Sequence, residues 1–100
     1  MNFKSISCDE FEKLMGEGFV IKAPIEYPEE IEGTDLIIKL GENLDDYRAK
    51  LPGKNNKLLV YCYRGFISKH ISEQLAKLGY KVYDLGGGMK SWEGSGRELK

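Results

Sequence analysis

Residues 58–68 read Leu58-Leu59-Val60-Tyr61-Cys62-Tyr63-Arg64-Gly65-Phe66-Ile67-Ser68, and this stretch decides the fold. An apolar run without a break ends in a cysteine. Such a run is the pattern of a strand covered on both faces, as in a parallel sheet between helix layers. A short loop with one glycine follows, and then a helix begins. Its predicted N-cap is Ser68, its apolar stripe is Ile71, Leu75 and Leu78, and its C-terminal cap is Gly79.

Working outward, the same alternation continues. After the helix, Lys81-Val82-Tyr83-Asp84-Leu85 reads as a strand, Gly86-Gly87-Gly88 as a loop, and Met89 to Glu93 as a short last helix. Before the run, Lys54-Asn55-Asn56-Lys57 is a polar turn. Asn43 is placed to cap a helix carrying Leu44, Tyr47, Ala49 and Leu51, which Pro52-Gly53 stops. Residues 35–40 predict a strand. Residues 22–34, with Pro24, Pro28 and four glutamates, predict a solvated acidic loop. Phe19-Val20-Ile21 predicts a short buried strand. Ser7 and Glu10 fit a capping box for a helix over residues 8–15, with Phe11, Leu14 and Met15 on one face and Gly16 at its end. Strand and helix alternate, which points to an α/β domain with a mainly parallel sheet.

Composition narrows the function classes. At 100 residues the chain fits one domain, residues 1–100. With 41% hydrophobic and 31% charged residues it is neither disordered, collagen-like nor a disulfide scaffold. A net charge of −1 argues against a strongly basic nucleic-acid binder. That charge is unevenly spread. Residues 1–56 carry 7 basic and 12 acidic groups, and residues 57–100 carry 8 and 4. The half holding the cysteine loop is thus the positive half, as an anion-handling site would prefer. The N-terminus shows no apolar signal segment, and no run approaches the ~20 apolar residues that span a bilayer. A cytoplasmic protein with free thiols at Cys8 and Cys62 is the expectation, without membrane or nucleic-acid partners.

The loop after the apolar run is the candidate site. In open parallel sheets, sites form at the carboxyl ends of strands. A helix N-terminus supplies unpaired N–H groups and partial positive charge. A tight loop between strand and helix wraps backbone amides around the sulfur and favours a thiolate. Gly65 permits the tight curl, and Arg64 adds a cation for an anionic substrate.

Here the sequence resembles the rhodanese-like (sulfurtransferase) domains. The resemblance rests on LVYCYRGFIS over 59–68, KLGYKVYDL over 77–85 and GGGMKSW over 86–92. It implies a three-layer sandwich, with a central, mainly parallel sheet of about five strands flanked by helices. It implies that Cys62 is the catalytic nucleophile that accepts a sulfane sulfur as a persulfide. It also implies a substrate cradle of Tyr63, Arg64, Gly65, Phe66, Ile67 and Ser68. The donor would be a small molecule such as thiosulfate, and the acceptor a thiol, cyanide or a protein sulfur carrier. No cofactor is required, because the persulfide is the carrier. The length fits the single-domain form; the oligomeric state stays open, with a monomer as the expectation.

The sequence departs from the family pattern in three places. Lys22-Ala23-Pro24 and Glu29 to Thr34 stand where family members often carry Asp-x-Arg and a Gly-His-Ile-x-Gly-Ala segment. Ile67 stands where an arginine is frequent, which removes one cation from the cradle. Phosphatase relatives of this fold use Cys-x5-Arg, and Ser68 in place of that arginine argues against phosphoryl transfer. The alternative to an enzyme is a non-turnover binding or regulatory module, which the apolar pair Phe66-Ile67 would suit. Of the remaining residues, Cys8 is expected to be a bystander among acidic neighbours. His70 is expected on a solvated flank and Trp92 as a core anchor. One histidine and two distant cysteines give no metal-ligand spacing. The glycine triplet is read as a turn near the cysteine loop, not a nucleotide site.

Overall fold

The structure, a computed structural model, describes residues 3–100. In chain order it contains β1 (Lys4–Ile6), α1 (Cys8–Met15), β2 (Gly18–Lys22), β3 (Leu36–Ile37), a 3-10 helix (Leu44–Lys50), β4 (Lys57–Tyr61), α2 (Ile67–Lys77), β5 (Lys81–Leu85) and α3 (Gly88–Gly94). The strands form one five-stranded sheet in the order β1-β5-β4-β2-β3, and every neighbouring pair is parallel.

β4 is central, and its sequence shows why. Leu58, Val60 and Cys62 alternate toward the layer of α2 and the 3-10 helix, where Ile71, Leu75, Leu44 and Tyr47 meet them. Leu59 and Tyr61 point to the other layer, against Phe11 of α1 and Met89 and Trp92 of α3. Leu58, Leu59, Val60 and Tyr61 are all fully buried. An uninterrupted apolar run is therefore what a strand between two helix layers requires. Its partners obey the same rule, with Ile21 of β2 opposite Val60 and completely buried.

Several elements differ from the sequence expectations. β1 was not anticipated. It is a three-residue edge strand with only Ile6 buried, so backbone pairing to β5 places it, not an apolar pattern. The strand expected over 35–40 narrows to Leu36–Ile37. Asp35 N–H to Val20 O (2.8 Å) and Ile38 N–H to Lys22 O (3.0 Å) continue the pairing on either side, before the chain turns at Lys39 to Glu42. The helix from Asn43 is a 3-10 helix with a complete Asn43–Asp46 capping box. Its buried residues Leu44 and Tyr47 are three apart, a spacing that a 3-10 turn brings onto one line.

The 22–34 loop is less solvated than expected. Ala23 and Ile31 are buried, and Ile31 N–H donates to the Tyr61 hydroxyl (3.0 Å). Finally, α2 begins one residue before the predicted cap. Its N-cap is Phe66, with no side-chain cap bond, and Ser68 lies buried inside the first turn. The Ser68 hydroxyl donates to the Asp84 carboxylate. A hydrogen bond to a buried carboxylate is stronger than one to a backbone amide, so it outweighs capping.

α1 matches its predicted span. Ser7 Oγ accepts from Glu10 N–H (3.2 Å). Gly79, at φ +102°, follows the end of α2 in the left-handed region, as a helix-terminating glycine does. Among the described residues no helix is long and apolar enough to cross a membrane.

Candidate functional site

Cys62 follows directly on the last residue of β4, at the carboxyl end of the central strand. It is buried, and it lines a cavity of about 210 Å³ together with Ile25, Tyr63, Arg64, Phe66 and Ile67. Gly65 N–H donates to Cys62 Sγ at 3.1 Å. The turn that aims this amide needs φ +96° at Gly65. A Cβ there would also crowd Gly87 N at 3.2 Å, so glycine is required for conformation and for space.

The loop is held from the opposite layer. Met89 N–H donates to Cys62 O (2.8 Å), and Lys90 N–H donates to Tyr63 O (2.9 Å). These are amides of the first turn of α3, which have no partner within their own helix. The glycine triplet thus sits beside the cysteine loop, as the sequence suggested, and its physical task is to let α3 start against two loop carbonyls.

Below the sulfur runs a chain of polar groups. Cys62 Sγ–H donates to Ser68 Oγ (3.3 Å), and Ser68 donates to Asp84 Oδ1. Asp84 is completely buried. Its Oδ2 accepts from Ser5 Oγ (3.1 Å) and from Lys69 Nζ (3.3 Å), and Lys69 Nζ also donates to Gly65 O (3.1 Å).

The six cradle residues thus divide. Tyr63, Arg64, Phe66 and Ile67 line the cavity. Gly65 faces the sulfur with its backbone, and Ser68 lies beneath it. Phe66 is 73% exposed and Ile67 44%, so the rim is apolar. Arg64 lies over the Tyr63 ring, 5.8 Å from its centroid.

Sequence reasoning missed Asp84, Ser5, Ile25 and Tyr27. Asp84 was legible in principle. It shares the phase of Val82 in a strand otherwise built of apolar inward positions, and a carboxylate there demands partners. Ile25 and Tyr27 were hidden in an acidic stretch. In the structure Ile25 walls the cavity, and Tyr27 packs on Tyr63 with ring centroids 4.6 Å apart. Lys22, at 5% exposure, holds that segment by donating to Tyr27 O (2.6 Å). Burial lowers its pKa below the ordinary lysine value, and Glu30 opposes the shift.

The other singled-out residues lie elsewhere. Cys8 is a free buried thiol in the α1–α3 layer, 3.6 Å from Ser91 Oγ. Cys62, also free, belongs to the α2 layer. His70 is exposed. Trp92 is buried and meets Phe11 edge-on, centroids 6.1 Å apart. Among the described residues no three His, Cys, Asp or Glu side chains gather as a metal site. A separate recess of about 690 Å³ lies along β3 and has no residue of the cysteine loop in its walls.

Comparison with known proteins agrees with this geometry. The family described as rhodanese-like domain matches residues 9–95. The thiosulfate sulfurtransferase GlpE of Coxiella burnetii is 32% identical over 98 residues, covering 93% of this chain and 90% of that protein. Among solved structures, a rhodanese-related protein from Thermoplasma volcanium superposes with a TM-score of 0.78 at 20% identity, covering 98% of both chains. A rhodanese-like domain protein from Staphylococcus aureus superposes with 0.77 at 24% identity, covering 98% of this chain and 97% of that one.

Proposed function

The chain belongs to the rhodanese-like domain family, and from that premise we propose that it is a sulfurtransferase carrying sulfane sulfur as a persulfide on Cys62. The observation that carries this reading is the Gly65 N–H aimed at Cys62 Sγ at 3.1 Å, beside the cavity that Cys62 helps to line. In the first half-reaction the Cys62 thiolate attacks the outer sulfur of the donor. The Cys62–sulfur bond forms, and the donor's sulfur–sulfur bond breaks. The leaving group, sulfite when the donor is thiosulfate, departs with the electron pair. In the second half-reaction an acceptor thiolate or cyanide attacks the terminal sulfur, and Cys62 leaves as the thiolate.

The cavity residues take roles by their chemistry. Gly65 N–H stabilises negative charge on sulfur in a site partly shielded from water. Arg64 meets an anionic donor. Tyr63, Phe66 and Ile67 exclude water and meet the apolar part of a donor or acceptor. Ser68 supports the sulfur from below. Thiosulfate is supported as a donor by the activity named for the Coxiella relative. A small thiol, cyanide or a protein thiol is the proposed acceptor.

The test is intact mass after incubating reduced protein with thiosulfate, or with a low-molecular-weight persulfide, against Cys62→Ser. The expected result is one added sulfur atom on the wild type, removed by cyanide, and none on the variant. No added sulfur from either donor would refute the reading. A second reading, a non-turnover binding module, is favoured by the exposure of Phe66 and Ile67. It predicts that null result.

A further inference from the structure

We propose that Phe66 and Ile67 are specificity-determining residues, and that the acceptor they select is a small organic thiol with an apolar carbon group. The inference rests on Cys62 being the sulfur carrier. It narrows the acceptor from the thiols, cyanide and protein thiols that this role allows.

The placement of the pair is the first observation. Phe66 stands at the N-cap of α2 and makes no side-chain cap bond. Ser, Thr, Asn or Asp at that position would satisfy a helix amide and stabilise the protein. The position instead holds a phenylalanine that is 73% exposed, followed by Ile67 at 44%. Neither side chain is part of the two core layers, so folding gives no reason for an apolar pair here. Both line the cavity beside Cys62, where Ile25 and Tyr63 supply further carbon. Those two walls are held in place. Ile25 packs against both layers of the core, and Tyr63 is covered by Tyr27 with ring centroids 4.6 Å apart.

Charge and size are the second. Arg64 is the one charged residue in the lining. Lys69 is engaged elsewhere, on Asp84 Oδ2 and Gly65 O. An acceptor with two negative charges loses hydration against carbon walls and finds one guanidinium in return. A two-atom ion such as cyanide gains little from the walls. An apolar group gains in proportion to the area it buries. The cavity measures about 210 Å³, below the ~300–1,000 Å³ usual for drug-sized ligands, which suits a group roughly as large as a phenylethyl chain.

The step balances. The acceptor thiolate attacks the outer sulfur of the Cys62 persulfide. A sulfur–sulfur bond forms to the acceptor, and the bond between the outer sulfur and Cys62 Sγ breaks. Cys62 leaves as the thiolate with the electron pair, where Gly65 N–H meets it. The outer sulfur keeps its proton and departs as the organic persulfide. The carbon group of the acceptor lies between the apolar walls during attack.

The test loads the protein with sulfur from thiosulfate or a low-molecular-weight persulfide, removes the excess, and follows loss of the added sulfur by intact mass. Cys62→Ser is the blank. Two acceptors are compared at equal thiolate concentration, 2-phenylethanethiol and the anionic 2-mercaptoethanesulfonate. The readout is the ratio of their rates within one protein, so a general loss of reactivity in a variant cancels. For the wild type we expect a ratio of at least about ten, in the range an apolar pocket gives for one or two methylene groups. Phe66→Ala and Ile67→Arg should each lower it about threefold or more, the first by removing a wall and the second by adding a cation. Both side chains are exposed, so neither change disturbs the core. A wild-type ratio near one overturns the inference and leaves Cys62 as a sulfur carrier. A high ratio that neither substitution lowers overturns it equally. A protein that accepts no sulfur from either donor ends both readings.

Discussion

Gly88→Ala tests whether the start of α3 fixes the cysteine loop. Gly88 has φ +63°. A Cβ there would stand 2.5 Å from Cys62 O and 2.5 Å from Tyr63 O, well inside van der Waals contact. A left-handed alanine costs about 1–2 kcal/mol on its own. Relieving the overlap means moving backbone, at about 1–3 kcal/mol for a forced fit in a packed interior. The same movement pulls Met89 N–H and Lys90 N–H from the two carbonyls they now bond at 2.8 and 2.9 Å, each worth about 1 kcal/mol. A loss of about 4–7 kcal/mol follows, a large share of the ~5–15 kcal/mol typical of a domain. Urea unfolding followed by circular dichroism measures it. Gly94→Ala is the control, because its Cβ meets nothing within 4 Å and helix propensity favours alanine by up to about 1 kcal/mol. Gly88→Ala within about 1 kcal/mol of wild type would refute the account of the loop as clamped by α3.

Three further outcomes are expected. Arg64→Ala should raise the KM for thiosulfate by about two- to fivefold, the worth of an exposed charge, and leave a neutral persulfide donor unchanged; an equal effect on both removes Arg64 from donor binding. Tyr61→Phe should cost about 1–2 kcal/mol at neutral pH, because Ile31 N–H loses its acceptor, and should also flatten the alkaline limb of stability. Burial raises the Tyr61 pKa above its ordinary value of 10.0, with the Thr34 and Ile31 hydrogen bonds opposing. The folded state therefore keeps the proton longer than the unfolded state, so this contribution is full below about pH 10 and is lost as pH rises further. Urea midpoints at neutral and strongly alkaline pH, falling equally in both proteins, would contradict that. Ser72→Ala should be neutral or stabilising by up to about 1 kcal/mol, since the buried Ser72 Oγ has no hydrogen-bond partner among the described residues; a loss above about 1 kcal/mol would show a partner at work.

The parts of the fold legible in the sequence are those that local chemistry settles. The run Leu58 to Cys62 could only be a doubly covered strand. The α1 span followed from Ser7 and the spacing of Phe11, Leu14 and Met15. What was missed depends on distant partners. β1 exists because β5 offers an edge. The early start of α2 exists because Asp84 competes for the Ser68 hydroxyl, and Asp84 lies 16 positions away in the chain. The buried parts of 22–34 were hidden by their glutamates, although Ala23 and Ile31 are buried and Ile25 and Tyr27 pack against the core. In the site, the loop residues were legible as a local motif. The hydrogen-bond network beneath them was not, because it joins β1, α2 and β5.

Two of the departures from the family pattern, at Lys22 and at Ile67, act together on the character of the site. Lys22 is drawn inward at the end of β2 and spends its ammonium on Tyr27 O. That bond brings the chain back over the sheet end, so that Ile25 walls the cavity and Tyr27 lies on Tyr63. Ile67, in place of a cation, adds a second apolar wall. The net effect is a cavity with apolar sides and one exposed cation, Arg64, in its lining. Below the sulfur, by contrast, the polar chain is complete and buried. Charged groups therefore stand on both sides of Cys62, Arg64 in the cavity lining and Asp84 with Lys69 beneath the sulfur.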